Sequence, residues 1–312
     1  MRAVTLKDGA LMVEECPEPT PGTGEVLVRV RAAGVNGADM MQRRGLYPAP
    51  SGAPQDIPGL ELAGEVAALG PSSTRFAEGD RVMAIVAGGG QAELATVHER
   101  ALMPVPEGVG WPEAGGIPEV FTTAHDALFT QAGLQPGERL LVHGAAGGVG
   151  TAAVQLGRAA GADVIGTVRN QELRPRVEDL GARAIDPESF EDHGPFDVVL
   201  ELVGAPNLAQ NVASLATRGR IVVIGVGAGA KAELNLLALM GNRGRIMAST
   251  LRARPLEEKA DAMRKVEKHV LPLIESGAVK VPVSETFPLD QAEAAYDRFA
   301  SGGKLGKIVL TT

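Results

Sequence analysis

Cysteine is nearly missing from this 312-residue chain, with Cys16 the only one. An internal disulfide framework and any cysteine-rich metal site are thereby excluded, and a reducing compartment, the cytoplasm, is the expected setting. Aromatic side chains are scarce, at seven Phe, two Tyr and one Trp. No stretch approaches the roughly 18 consecutive apolar residues of a membrane span, and the opening MRAVTLKDGALMVEE lacks the apolar core of a secretion signal. Positive charge is in deficit: 30 Lys and Arg against 38 Asp and Glu leave a net charge of −8. Without a basic field, nucleic acid and anionic membranes are excluded as main partners. Heptads, repeats and low-complexity tracts are absent. The five histidines, 98, 125, 143, 193 and 269, fall at no metal-ligand or triad spacing, and no G-x-S-x-G occurs, so they read as structural and no metal is expected.

What is present is turn-forming glycine and proline, 40 and 21 of them, with ordinary apolar (45%) and charged (22%) shares. At roughly 150 residues per domain the length suits two cores. Residues 140–156, LLVHGAAGGVGTAAVQL, join a short apolar run, a cluster of small residues and an apolar helix pattern, a strand, turn and helix suited to a pyrophosphate. Gly147 and Gly150, with Ala145 where a first glycine often stands, let the backbone approach a phosphate and let the helix start pack on the strand. The amides around Ala146, Gly147, Gly148 and Val149, at the positive end of the helix, would face the anion. Gly161-Ala162-Asp163 ends that helix, and VIGTV at 164–168 makes a second strand, closing a unit of the ~30 residues the motif requires.

The end of the second strand bears on the choice of dinucleotide. NAD enzymes place an Asp or Glu there to hold the ribose hydroxyls, whereas this chain reads Thr167-Val168-Arg169-Asn170 with Arg174 and Arg176 beyond. A 2′-phosphate would meet guanidinium there, so NADPH is the expected coenzyme. For Arg174 and Arg176 a solvated helix face explains the charge equally well; Arg169, at the strand end, carries the phosphate reading.

The first hundred residues alternate short β-like runs at 26–30, 65–69, 81–86 and 94–97 with Pro and Gly punctuation, the texture of a mostly antiparallel β domain. Residues 111–125 have helical periodicity. From 140 onward near-continuous apolar strands at 140–143, 164–168, 184–185, 198–202, 221–224 and 246–250 alternate with helical stretches, the pattern of a doubly wound parallel sheet covered on both faces. Residues 256–274 repeat apolar positions at helical spacing. Strand texture returns at 279–283 and 307–310 around a helix at 290–300. The C-terminal segment is therefore expected to rejoin the first domain, with cofactor and substrate in a cleft between the two.

Taken together, GEVLVRVRAAGVNGADM at 24–40, IPGLELAGEV at 57–66, GDRVMAI at 79–85, GGGQAELATV at 88–97, IPEVFTTAHDAL at 117–128, the nucleotide motif and GKLGKIVL at 303–310 resemble the zinc-free quinone oxidoreductases, the zeta-crystallin group of the medium-chain dehydrogenase/reductase superfamily. MQRRGLYPAPSGAP at 41–54 and STLRARP at 249–255 are similar to the p53-inducible type. The resemblance implies an α/β fold with a GroES-like β-rich catalytic domain at 1–118 and 255–312 and an inserted doubly wound Rossmann domain binding NADPH at 119–254. It also implies a homodimer joined through the last sheet strand, at 244–250, whose apolar edge would otherwise be a liability. Zinc-bearing members carry a Cys where this chain has Asn36 and a His where it has Leu60, neither of which supplies thiolate or imidazole. Residues 98–110 run straight through the region of the four-cysteine structural zinc lobe.

The implied activity is direct hydride transfer from NADPH to a quinone without metal or flavin, since simple ketone chemistry would lack its Lewis acid while a quinone delocalises the charge it receives. An alkenal or enoyl reductase, in which a tyrosine helps deliver the proton, is the alternative, and an NADPH-binding crystallin-like protein without turnover is a third reading. Asn36 reads either as an amide on the nicotinamide ribose or carboxamide or as a turn residue, and Asp39 as a helix cap. Tyr47, in the loop GLYPAP, either bonds substrate oxygen or packs as a lid. Thr122 and Thr123 read as cofactor neighbours or as helix caps, and Gly225 as a close approach at the carboxyl edge of the sheet. Leu251 and Arg252 fall next to the nicotinamide in the family pattern, Arg252 reading also as a solvated charge. Lys304 approaches the 2′-phosphate or lies on the surface. Gly147 and Arg169 depart from relatives that carry Ser, or Ser and Gly, at these places.

Overall fold

Alternating apolar and polar residues set the strands of the first part of the chain, in which the structure, a computed structural model, describes residues 1–312 throughout. In order these are β1 (Arg2–Lys7), β2 (Ala10–Glu15), β3 (Glu25–Val35), then helix α1 (Gly37–Arg43), β4 (Glu61–Leu69), β5 (Arg81–Ile85), β6 (Leu94–His98) and β7 (Leu102–Pro104). β1 and β2 form an antiparallel hairpin whose turn, Asp8-Gly9, has positive φ at both residues, the conformation that Asp-Gly favours. In β3, EVLVRVRAAGV, inward residues alternate as far as Ala32 and are then buried on both faces to Val35.

Two short helices follow, α2 (Trp111–Ala114) and α3 (Pro118–His125), where continuous helical periodicity is expected from the sequence. Gly115 and Gly116 interrupt it, and a Cβ on Gly115 would lie 2.7 Å from that of Ala32, so the chain breaks where it must press onto β3. The remaining elements are β8 (Arg139–Val142), α4 (Gly148–Ala159), β9 (Asp163–Thr167), α5 (Arg174–Glu178), β10 (Arg183–Ile185), β11 (Phe196–Glu201), α6 (Leu208–Ala213), β12 (Leu215–Val223), α7 (Leu236–Gly241), β13 (Arg245–Ala248), α8 (Leu256–His269), α9 (Leu271–Glu275), β14 (Val283–Pro288), α10 (Ala292–Ala300) and β15 (Lys307–Thr311). The helix expected over 256–274 is two, because Pro272 has no N–H to continue the ladder. The strand expected at 279–283 does not form; buried Val279 instead donates its N–H to Leu273 O at 3.0 Å, closing α9, and the strand starts at Val283.

The chain divides into two units: Met1–Thr122 with Leu251–Gly302 and Lys307–Thr312, and Thr123–Thr250 with Gly303–Gly306. The division falls within α3, and a four-residue piece near the C-terminus sides with the second unit. In the first unit a seven-stranded sheet runs β14-β15-β3-β4-β5-β7 with β6 also on β3. It is antiparallel except where β14 meets β15, and Val26, Val28, Val30, Leu62, Val82 and Leu102 fill its core. The second unit holds a six-stranded parallel sheet in the order β10-β9-β8-β11-β12-β13, with Leu141, Ile165, Phe196, Val199 and Ile221 in its core. Counted within the unit, that order is 3-2-1-4-5-6, the Rossmann arrangement, whose direction reverses between β8 and β11. No helix is long and apolar enough to cross a membrane.

Candidate active site

The loop after β8 leaves backbone donors open. Gly147 is the N-cap of α4, no side chain caps the helix, and its first turn contains no acid, so the first amides have no partner within the helix. Residues 146–149 are all half-buried, while Gly150 is buried. A Cβ on Gly150 would lie 2.3 Å from Gly144 O, so only glycine lets the helix start this close to the strand exit. These features fit a dinucleotide pyrophosphate. The piece Gly303–Gly306 lies against the same loop: Gly306 N donates to Ala146 O at 2.8 Å and Gly306 bridges to Gly147. Lys304 sits in this piece with Nζ donating to Gly306 O at 3.0 Å.

At the end of β9 the arginines separate. Arg169 is exposed. Arg174 donates from Nε to Val168 O at 3.1 Å and from its guanidinium to Asp186 at 2.7 Å, so its charge is already matched by a carboxylate.

Under the loop lies a polar network. Thr167 Oγ1 accepts from Gly144 N and contacts His143 Nδ1, both at 3.2 Å, and His143 Nε2 lies 2.7 Å from Asn211 Oδ1. Asn211 donates in turn to Glu201 at 2.8 Å. The buried Glu201 carboxylate also accepts from Val203 N at 2.6 Å and Gly204 N at 2.8 Å. Burial holds the His143 imidazole below its ordinary pKa against the opposing pull of Glu201 and Asn211, so the ring is neutral at pH 7. Gly225 N donates to Glu201 O at 3.0 Å. A Cβ on Gly225 would meet Leu202 O at 2.2 Å, so the glycine is required by the β11 exit and not only by an incoming ligand. The capping role considered for Thr122 and Thr123 does not arise, because α3 starts at Pro118. Both are buried, and Thr122 Oγ1 has no partner.

The first unit holds a buried ionic cluster. Lys307, at the start of β15, donates from Nζ to Glu61 Oε1 at 2.6 Å, Asn36 Oδ1 at 2.7 Å and Val35 O at 3.1 Å. Asn36 Nδ2 donates to Glu61 Oε1 at 2.9 Å. The Asn36 amide, expected on the coenzyme, is thus engaged at both ends by the protein's own charges. Glu61 Oε2 accepts the N–H of Glu119 at 2.8 Å. Gly34 makes room: a Cβ there would lie 2.1 Å from Glu61 Oε1. Asp39 accepts from Asn36 N at 2.8 Å and Gly59 N at 3.2 Å; it is not the cap of a helix over 40–44 that the sequence suggests, because α1 already starts at Gly37 with Asn36 as its N-cap, and Asp39, at the third helical position, bonds back to the cap's backbone. Burial nevertheless pushes its pKa up to about 7, against those bonds and Lys307. Arg252 is no solvated charge. It is 2% exposed and donates to Ala87 O at 2.7 Å, Tyr47 O at 2.9 Å and Gln42 Oε1 at 2.7 Å. Its guanidinium stands 5.3 Å from the Tyr47 ring centre, so it fastens the Tyr47 loop. The half-buried Tyr47 phenol is held above its ordinary pKa by burial and then by Glu119, against Arg252. Leu251 is buried beside Arg252 in sequence.

Sequence reasoning did not single out Glu61, Glu119, Lys307, Glu201 or Asn211. The available signal was a charged residue inside an apolar strand, as in LEL at 60–62, KIVL at 307–310 and VVLELV at 198–203, since a buried charge needs a partner.

The alcohol dehydrogenase GroES-like domain family matches residues 22–129, and the zinc-binding dehydrogenase family matches residues 180–310. A quinone oxidoreductase of Rattus norvegicus is 32% identical over 305 residues, covering 94% of this chain and 90% of its own. The structure of a mycobacterial protein complexed with NADPH superposes with a TM-score of 0.89 at 28% identity over 100% of both chains. The CurK enoyl reductase structure does so with a TM-score of 0.85 at 25% identity, over 99% of this chain and 98% of its own. A GroES-like β unit carrying a Rossmann unit defines the medium-chain dehydrogenase/reductase class of oxidoreductases. Within that superfamily the chain belongs to the quinone oxidoreductases.

Removing one member of a buried ion pair strands the other, typically at a cost of ~3–5 kcal/mol. Lys307→Met is therefore expected to lower stability in urea by that amount. A variant as stable as the parent at pH 7 would show that the pair does not hold the unit together.

Proposed function

We propose that the chain is an NADPH-dependent quinone oxidoreductase working without zinc or flavin. The observation that carries the coenzyme reading is the pairing of open α4 amides with an exposed Arg169 at the end of β9, where no acid stands. NADPH held there would supply a hydride. Residues 146–149 would surround the pyrophosphate, with the N–H groups of Gly148 and Val149 open to it and that of Gly147 shared with Gly144 O at 3.0 Å, and Arg169 would take the 2′-phosphate. Lys304, in the strip lying on the phosphate loop, would add positive charge. Arg174 would contribute less, its charge being matched by Asp186. Thr123 and Gly225 would line the coenzyme through small or main-chain surfaces. Asn36 and Leu60 stand where the zinc-bearing members carry thiolate and imidazole, and the Asn36 amide is bonded to Lys307 and Glu61. These donors do not suit zinc, and an acceptor that delocalises its own charge does not need a Lewis acid.

Arg169→Ala is expected to raise the KM for NADPH by about tenfold to a hundredfold, the worth of one charge-assisted phosphate contact, and to leave the KM for NADH nearly unchanged. Equal use of the two coenzymes by the parent protein would contradict the phosphate role.

The likeness to an enoyl reductase structure and the Tyr47 phenol favour a second reading, reduction of an activated C=C bond. Steady-state turnover of 1,2-naphthoquinone and of a 2-enal, with Tyr47→Phe beside the parent, separates the two. Quinone turnover insensitive to the substitution is expected; a strong parent activity on the enal that collapses in Tyr47→Phe supports the second reading. Tight NADPH binding with turnover of neither would leave a coenzyme-binding protein.

We also infer a homodimer through β13, the edge of the parallel sheet. The preceding helix, α7, presents Leu236, Leu237 and Met240 at 62, 79 and 69% exposure, an apolar face of the kind that marks an interface. Sedimentation should give a dimer for the parent and a monomer for Leu237→Glu combined with Met240→Glu. A monomeric parent would remove the inference.

A further inference from the structure

Glu119 is the one acid of the first unit's ionic cluster left without a donor. Lys307 has three ammonium protons, and Glu61, Asn36 and Val35 take all of them. Arg252 donates to three neutral oxygens, those of Ala87, Tyr47 and Gln42. Asp39 is served by two backbone N–H groups. Glu119 Oε2 is buried with no partner, although the residue as a whole keeps partial exposure. Its own N–H is given to the neighbouring carboxylate, Glu61. A buried polar oxygen without a protein partner needs an explanation, and a charged carboxylate placed beside another and given no donor is the costly state.

We propose that Glu119 is the acid that protonates the substrate oxygen once the substrate has been reduced. This deepens the reading of the chain as a reductase using a reduced nicotinamide coenzyme, and rests on it. The coenzyme is the two-electron reductant, and hydride addition leaves the conjugated acceptor as an oxyanion. The O–H bond of Glu119 breaks, an O–H bond forms on that oxygen, and the carboxylate left behind regains a proton from water through its exposed side.

The electrostatic setting agrees. Burial first, and then the Glu61 charge, push the Glu119 carboxyl up to about 8, with Asp39 adding to the rise and Lys307 and Arg252 opposing it. Tyr47 and Lys259 are the other titratable groups that feel its charge. An acid that is protonated at neutral pH and close to giving up its proton is well matched to donation. The sign follows: a step that needs protonated Glu119 slows as the pH rises through about 8.

Two measurements test this. Infrared spectroscopy of the coenzyme-free protein should show the C=O stretch of a protonated carboxylic acid at pH 7, fading as the pH passes about 8. Asp39, raised to about 7, contributes to the same stretch and loses its part first; the component that fades near 8 should be absent from Glu119→Gln and retained in Tyr47→Phe. In kinetics, Glu119→Gln should lower kcat about a hundredfold, leave the KM for the coenzyme unchanged, and abolish the alkaline limb of the pH profile. A parent spectrum without a component lost in Glu119→Gln, or a Glu119→Gln enzyme with parental kcat and pH profile, overturns the proposal while leaving the reductase reading in place. A parent protein that shows the band but reduces neither quinones nor enals overturns that reading and the donor role with it.

Discussion

The interior of the first unit is organised around one ammonium group that has nowhere to shed its charge. Lys307 lies on β15 next to β3, and its three bonds tie together the end of β3 at Val35, the start of α1 at Asn36 and the first residue of β4 at Glu61. Sequence choices far apart in the chain become interdependent as a result. Residue 34 is Gly because the Glu61 carboxylate occupies the space of its side chain. Asn36 presents an oxygen to the cation and an amide hydrogen to the anion, and its own backbone N–H goes to Asp39 in the first turn of α1. Removing Lys307, Glu61, Asn36 or Asp39 strands a charge or a donor in the buried interior.

The second unit meets the problem of a buried acid in another way. Glu201 has no cation in hydrogen-bonding range, the His143 ring standing 3.8 Å away, and is instead surrounded by donors: two backbone N–H groups of the following turn and the amides of Asn207 and Asn211. Those bonds fix the exit of β11, and through Asn211, His143 and Thr167 they also reach the Gly144 amide at the exit of β8. The two strand exits that flank the reversal of strand order are therefore set by one carboxylate. Set beside Glu119, which has no donor to its free oxygen, Glu201 shows what a purely structural buried acid looks like in this molecule. Every lone pair that geometry allows is occupied, and nothing remains for a ligand.

How much of this can be read from the sequence depends on whether a feature is local. The phosphate loop can, because strand, small-residue turn and helix are contiguous and the glycine at 150 answers to a carbonyl only six residues earlier. So can the alternation of strands and helices that makes the parallel sheet. The Asp8-Gly9 hairpin and the break at Pro272 are equally local but go unread, since the expected strands begin at 26 and the expected helix runs through 272; turn and donor chemistry there outweighs the periodicity around it. The ionic cluster is not local. Lys307 and Glu61 are 246 positions apart in the chain, and nothing near either residue indicates its partner; each shows only as a charge embedded in an apolar strand. Arg252 illustrates the opposite error: read beside Arg254 in a polar stretch it resembles a surface charge, and only the folded chain shows three acceptors from separate segments converging on its guanidinium.

The cluster also narrows the chemistry that the first unit can support. A metal at this place would hold an open coordination position and draw charge from a bound oxygen. The Lys307 ammonium offers neither, because all three of its protons are committed and its charge is neutralised at close range by Glu61. On the proposed reading, electrophilic help to the acceptor has to come from the acceptor's own conjugation, and the remaining contribution of the unit is a proton. The two side chains free to give one are the Tyr47 phenol, which burial holds above its ordinary pKa, and the Glu119 carboxyl, raised to about 8. Since transfer to a transient oxyanion becomes faster as the donor becomes the stronger acid, provided it is still protonated at the working pH, the carboxyl is the better source. The Lys307 cation thus has an indirect effect: by satisfying Glu61 and leaving Glu119 unserved, it leaves one acid beside the other protonated.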